Sequence, residues 1–310
     1  MGYKTTLCDV SLDGGHYGIA APAVDFKPGL PAYLRITDIN DDGTLNPSDR
    51  KSVDDSSAGN YLLHEGDIVF ARTGNSTGRN YYYDPRDGEY AYAGFLIKFS
   101  LDPRKINPRY MKYYAQSKQY WDWVSSFNTG STRGNINAKT YASMPIDLLS
   151  RQIQDGIVAI CDAIDDKIRI NRQLNDYLEQ CLLARYDHLF RGAGTYNGTI
   201  SDIGDVVGGA TPSKKRPEYY CHEGIGWITP KDLSNTTNKF VAHGADDITR
   251  VGFDSCSIKK LPAGTVLFSS RAPIGYIAIA SDEVTTNQGF KSIVPHKEIG
   301  TAFVYCFLVR

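Results

Sequence analysis

LHEGDIVFARTGNSTG (63–78) is answered near the other end of the 310-residue chain by LPAGTVLFSSRAPIG (261–275). The alignment sets Gly66 against Gly264, Phe70 against Phe268 and Gly78 against Gly275. Three more blocks recur in the same order. TTLCDVSLDGG (5–15) parallels GTISDIGDVVGG (198–209), and YLRITDIN (33–40) parallels GWITPKDLS (226–234). AYAGFLIKF (91–99) parallels TTNQGFKSIV (285–294), setting Gly94 and Phe95 against Gly289 and Phe290. Four weak matches in one order, at offsets of about 195 residues, identify a duplicated unit.

Within each copy, short β-branched and aromatic runs bounded by Gly, Pro, Asn and Asp predict strands, most clearly at 67–70 and 265–268. After the first set, Asn107 and Pro108 form a helix start. Tyr110, Tyr113, Tyr114, Tyr120, Trp121 and Val124 then recur at helical spacing. Between the copies the character changes. Residues 150–190 hold no Pro and one Gly, and Ile157, Ile160, Ile164, Leu174, Leu178 and Cys181 follow each other at intervals that suit a coiled-coil seam. Asn171 falls on that seam, where a polar residue sets register. Forty residues at 1.5 Å each make a rod of roughly 60 Å, too long for one small module to bury. RGAGTYNG (191–198) ends it.

The expected fold class is therefore α+β, with two homologous mixed α/β domains joined by a long coiled-coil-forming helix. The expected boundaries are 1–149 for the first domain, 150–190 for the helix, 191–199 for a linker and 200–310 for a second domain that stops early relative to the first.

The net charge of −1 gives no sign of a polyanionic partner, and its distribution says more. Acidic residues outnumber basic ones by more than two to one over 1–71, and the ratio reverses over 72–139. A phosphate-facing side could be built from the second stretch; an ordinary surface of mixed charge fits the counts equally well. The amino terminus has no secretory pattern, and the longest apolar runs, such as TVLF and YIAIA, fall far short of a bilayer span, so a cytoplasmic protein is expected. Cysteines at 8, 161, 181, 221, 256 and 306 show no CxxC spacing, and neither a metal site nor a disulfide framework is expected.

Several strings carry a resemblance. GGATPSKKRPEYY (208–220), IGWITPKDLS (225–234), LPAGTVLFSSRAPIGYIAI (261–279) and TTNQGF (285–290) resemble the target-recognition domain of type I restriction-modification specificity subunits. GSTRGNINAKTYASMPIDLLS (130–150), with the helical stretch after it to Phe190, resembles the end of such a domain and the family's helical region. The resemblance implies that each domain reads one half of a split double-stranded DNA target. It implies that the helix is a spacer and the docking surface for methyltransferase subunits, with restriction/motor subunits joining through the complex. S-adenosylmethionine, ATP and magnesium would then serve those partners, and this chain would hold no cofactor and carry out no catalysis in DNA methylation or cleavage. The sequence is in keeping with that: it contains no GxxxxGK[ST], no NPPY or DPPY tetrapeptide and no HExxH, and GNSTG (74–78), which has the spelling of GxSxG, reads as a turn.

Base reading needs Arg, Lys, Asn or Gln on loops held against the groove. The first domain offers Arg72, Thr73, Asn75, Ser76 and Arg79 after the strand at 67–70, and Ser131, Arg133 and Asn135 in TGSTRGN. The second offers Lys214, Lys215, Arg216, Lys231 and Arg271. Tyr81, Tyr82 and Tyr83 are weighted toward alternating strand burial over stacking on bases, and Trp121, Trp123 and Trp227 are assigned to cores. A helix whose seam lacks an internal partner is also expected to pair with a second copy, which would favour a palindromic target. The competing reading is a truncated interaction scaffold or inactive remnant that binds methyltransferase or itself without specific DNA recognition.

Overall fold

The computed structural model describes residues 3–46, 49–127, 134–192, 197–236 and 238–310. The chain divides into two compact units, Met1–Asn171 and Arg172–Arg310, and the division falls inside one continuous helix, Arg151–Phe190.

The first unit is organised by the strand Asp67–Ala71, all five residues of which are buried. It pairs antiparallel with Asn80–Tyr82 on one side and Leu96–Ser100 on the other, and His16–Tyr17 extends that sheet. A second four-stranded sheet runs Ala23–Asp25, Lys51–Val53, Ala32–Leu34, Tyr90–Tyr92, its last pair parallel. Side chains alternate across a strand, and here both faces are covered. Ile68 and Phe70 join Tyr82, Phe99, Tyr110, Tyr120 and Tyr141 in one core, while Val69 and Ala71 join Tyr81, Tyr83 and Leu96 in another. The three tyrosines thus alternate between two cores, and all are buried. Tyr3–Thr6 pairs with Pro145–Leu148, which ties the start of the module to its end.

The helical stretch after Asn107 is two helices instead of one. Asn107 caps Pro108–Tyr114 by accepting from the Arg109 N–H, and Ser117 opens Lys118–Ser125 by accepting from the Tyr120 N–H. Trp121 and Trp123 are only partly buried against the core.

The second unit repeats the plan. Val266–Phe268 lies between Ile277–Ala280 and Lys291–Pro295, both antiparallel. Gly204–Gly208 and the parallel Phe240–Val241 complete five strands. Trp227–Ile228 pairs parallel with Thr285–Thr286, as Ala32–Leu34 does with Tyr90–Tyr92. Trp227 is buried. Thr301–Val309 buries Val304, Tyr305 and Cys306 in a cluster that Leu183 and Tyr186 of the long helix help to cover.

Hydrogen bonds match position by position. Gly78 N–H donates to Ala71 O and Gly275 N–H to Ser269 O, each at 3.0 Å. Ala93 N–H donates to Leu34 O and Asn287 N–H to Ile228 O. The Asp38 carboxylate accepts the Arg35 N–H as Asp232 accepts that of Thr229, both at 2.8 Å. Gly66, Gly78, Gly264 and Gly275 all have φ between 87° and 91°, where a side chain is strained.

The pairing also corrects the sequence alignment by one residue. Ala71 faces Leu96 and Ser269 faces Phe290, so Phe290 corresponds to Leu96 and Gly289 to Phe95. A one-residue slip exchanges strand faces: Leu96 and Phe290 are fully buried, whereas Phe95 is exposed. Gly209 likewise corresponds to Gly18, for a Cβ on either would strike two backbone carbonyls closer than 2.5 Å.

Gly78 and Gly275 provide a paired test. A Cβ at Gly78 would stand 2.5 Å from Val124 Cγ1, whereas none at Gly275 meets an atom within 4 Å. Gly275→Ala should cost about 1 kcal/mol, the backbone strain alone, and Gly78→Ala about 2–4 kcal/mol through added overpacking. Urea unfolding of the two variants measures this, and equal losses would contradict the packing argument.

Candidate nucleic-acid interface

In the first unit, the residues after the central strand are stitched to two other segments. The Arg72 N–H donates to Phe95 O at 3.1 Å, and Arg72 O accepts from the Ile136 N–H at 2.9 Å. Thr73 bridges to Asn135, and the Thr77 hydroxyl donates to Gly134 O at 2.8 Å. The Arg72 guanidinium lies 5.0 Å above the Tyr17 ring, whose hydroxyl accepts from the Ala138 N–H. Asn75, Phe95 and Asn135 are exposed around it.

Two residues expected here, Ser76 and Arg79, are engaged within the module. Ser76 is buried, and its carbonyl accepts from the Arg79 N–H, so it shapes the turn. Arg79 is held by Asp41 at 2.7 Å and by Ile39 O, which ties it to a neighbouring loop. Ser131 and Arg133 lie outside the described residues.

Much of the basic excess over 72–139 is engaged by carboxylates. Arg79, Arg86, Lys98, Arg104, Arg109, Lys112 and Lys118 each pair with a carboxylate. Three of those partners sit on the long helix. Arg109 forks onto Asp162 at 2.6 and 2.9 Å, Lys112 reaches Asp165 at 2.5 Å, and Arg86 reaches Asp166 at 2.9 Å. Buried Gln154 accepts from the Asn107 N–H at 2.8 Å beside them. Acidic pairs such as Asp165 and Asp166 therefore dock the helix on its module.

In the second unit a cleft of about 350 Å³ brings Lys214, Lys231 and Arg271 together with Thr211, Asn287 and Gln288. Lys231 rides on the one-turn helix Pro230–Ser234, which Thr229 and Asp232 cap reciprocally. Asn287 Oδ1 accepts from the Gly289 N–H at 2.8 Å, and the Thr211 hydroxyl donates to Gln288 Oε1. Lys215 and Arg216 are exposed but do not line the cleft, and Arg216 pairs with Glu218 at 3.3 Å. Tyr17, Phe95, Thr211, Asn287 and Gln288 were missed by sequence reasoning. Asn287 and Gln288 were visible in TTNQGF as amide side chains suited to base edges; nothing local marked Tyr17 or Phe95.

Along the helix, Ile157 packs on the first module's core, whereas Ile160, Ile164, Leu174 and Leu178 are more than half exposed. Asn171 and Cys181 are exposed with them. The six cysteines are free thiols. Among the described residues no group of three His, Cys, Asp or Glu could hold a metal ion, and no helix is long and apolar enough to cross a membrane.

Comparison with known proteins bears directly on this duplication. The family described as type I restriction modification DNA specificity domain matches residues 33–180 and again residues 195–310. The chain belongs to that family. It is similar to the type I restriction enzyme MjaIX specificity subunit of Methanocaldococcus jannaschii, 47% identical over 106 residues, or 34% of this chain and 24% of that one. It is also similar to the EcoR124I/EcoR124II specificity subunit of Escherichia coli, 24% identical over 218 residues, or 66% of this chain and 52% of that one. The matches thus span about a quarter and about half of these relatives. Among solved structures, the type I restriction-modification S subunit from M. genitalium superposes with a TM-score of 0.55 at 15% identity, covering all of this chain and 76% of the other, which is a likeness of fold.

The docking ladder has a pH signature. Burial by itself would raise the Asp162 carboxyl, but hydrogen bonds from Arg109 and Tyr113 outweigh it and hold the group below the ordinary carboxylate range. A depressed folded-state value stabilises above the unfolded value near 4 and is lost as pH falls through the folded one. Asp162→Asn should cost about 1 kcal/mol at pH 7 and flatten the loss of stability below about pH 4. Unfolding midpoints between pH 2.5 and 7 measure both effects; an unchanged acid slope would remove Asp162 from the account.

Proposed function

We propose that the chain is the non-catalytic DNA-recognition subunit of a type I restriction-modification complex. Residues 1–149 and 200–310 are target-recognition domains, each for one half of a split double-stranded target. Residues 150–190 are the spacer and the docking surface for methyltransferase subunits, 191–199 is the linker, and restriction/motor subunits join through the complex. The reading rests on one observation above the others: around the exit of the central strand the first copy places Arg72, Thr73, Asn75 and Asn135, and the second gathers Lys214, Lys231 and Arg271 with Thr211, Asn287 and Gln288. Those are the residue types that contact base edges and phosphates. S-adenosylmethionine, ATP and magnesium would serve the partner subunits, and the complex would work in the cytoplasm.

The two sites differ in kind. Lys214, Lys231 and Arg271 form a group of cations suited to phosphate. Removing Lys231 and Arg271 together should weaken the methyltransferase-bound chain on every duplex alike and lower the slope of log affinity against log salt by about 2. Fluorescence anisotropy at several salt concentrations measures it, and an unchanged slope would argue against phosphate contact there. Methylation mapping separates recognition from a scaffold role, since a scaffold would bind methyltransferase and mark no defined sequence.

The exposed seam supports pairing with a second copy, because apolar residues at coiled-coil spacing gain most when another helix covers them. Light scattering should give a dimer at micromolar concentration and a monomer for the Ile160→Glu, Leu178→Glu double variant. A wild-type monomer at that concentration would exclude self-pairing.

A further inference from the structure

The two copies share their backbone contacts around the strand exit but not their side chains, and the difference concentrates at one place. Ser270 occupies the position of Arg72, since Ser270 N–H donates to Gly289 O as Arg72 N–H does to Phe95 O. Gly208 occupies the position of Tyr17: Gly208 faces Lys291 and Tyr17 faces Ile97, the residues that follow the matched Phe290 and Leu96. The Arg72–Tyr17 cation–π pair therefore belongs to the first copy alone. Side chains that keep the fold recur in both copies; one that reads a particular half of the target has no reason to recur.

From this placement we infer that Arg72 reads a guanine in the half-target of the first domain, with Tyr17 as its positioning residue. The inference rests on the proposed DNA recognition and adds the base class. The Arg72 backbone is pinned on both sides, by Phe95 O and by the Ile136 N–H. Its guanidinium is laid over the Tyr17 ring, and its Nε is enclosed without a hydrogen-bond partner among the described residues. The fork left for a ligand is that of the two terminal nitrogens, held beside the ring.

A phosphate contact asks only for positive charge within reach, and a swinging Lys supplies it. A fixed planar fork instead matches two acceptors at one spacing, and guanine O6 and N7 provide them in the major groove. The surroundings point the same way. The other cations of 72–118 are mostly taken up by carboxylates, while exposed Asn75 and Asn135 flank Arg72. A phosphate track would gather free cations, as the cleft of the second domain does.

The experiment maps methylation by the chain with its methyltransferase partner on duplex libraries, comparing wild type with Arg72→Lys, Arg72→Ala and Tyr17→Leu. The expected wild-type target includes a G·C pair at which Arg72→Lys and Arg72→Ala lose about tenfold to a hundredfold discrimination, with all other positions held. Tyr17→Leu should relax the same pair by a smaller factor. Arg72→Lys keeps the charge and most of the length but not the fork, so it carries the test if Arg72→Ala fails to fold. Unchanged discrimination in Arg72→Lys would overturn the inference, as would a uniform loss on all sequences with a salt slope lower by about one, the signature of a phosphate contact. A wild-type complex that marks no defined sequence would instead overturn the proposed function, and this inference with it.

Discussion

Each module depends on a strand buried on both faces. Asp67–Ala71 has no side chain free to meet a ligand, and Val266 and Leu267 are equally enclosed. Such a strand offers chemistry only where it ends. In both copies a glycine with positive φ closes the exit loop by donating its N–H back to the strand's last residues. The loop is thereby held short and turned outward, and a neighbouring turn, at Ala93–Phe95 or Asn287–Gly289, is hydrogen-bonded alongside it. Rigid scaffold and variable surface are thus separated by construction, which is the arrangement that lets one fold present different side chains.

Much of this was legible in the sequence, because a repeat is a pattern in residue type and order. The central strands, the paired glycines and the uninterrupted helix from Arg151 to Phe190 follow from alternation, turn residues and seam spacing. The misreadings share a cause: each depended on a partner distant in sequence. Ser76 reads as an exposed turn hydroxyl until its burial is seen, and Arg79 reads as a free cation until Asp41 stands beside it. The one-residue error at Phe95 arose because identical Gly-Phe pairs invited an alignment that strand register forbids. Tyr17 could not have been found, since its importance comes from Arg72, fifty-five positions away.

Charge shows the same lesson at larger scale. Counting placed a basic stretch at 72–139, and a count cannot say whether a cation faces solvent or a carboxylate. Arg86, Arg109 and Lys112 face Asp166, Asp162 and Asp165, so their charge fixes a helix to its module. Partly buried pairs of this kind add modest stability but strong geometric preference, because Asp162 accepts from both nitrogens of the Arg109 fork and from the Tyr113 hydroxyl.

Duplication supplies an internal control that a single domain lacks. Wherever the two copies agree, as at Gly18 and Gly209 or at Asp38 and Asp232, the shared feature serves the backbone: a close approach to carbonyls, or an N–H satisfied by a carboxylate. They differ at Arg72 and Ser270, which make the same backbone hydrogen bond. There the Ser270 hydroxyl also donates to Gly289 O at 3.2 Å, whereas the Arg72 Nε is enclosed without a partner among the described residues, so Arg72 gives the scaffold less than Ser270 does. Surface charge alone would not require the Arg to be clamped and stacked, because a mobile Lys meets that need at lower conformational cost. A residue pinned at its backbone and laid over a ring, absent from the matching position of the other copy, is therefore better explained by what it touches than by what it supports.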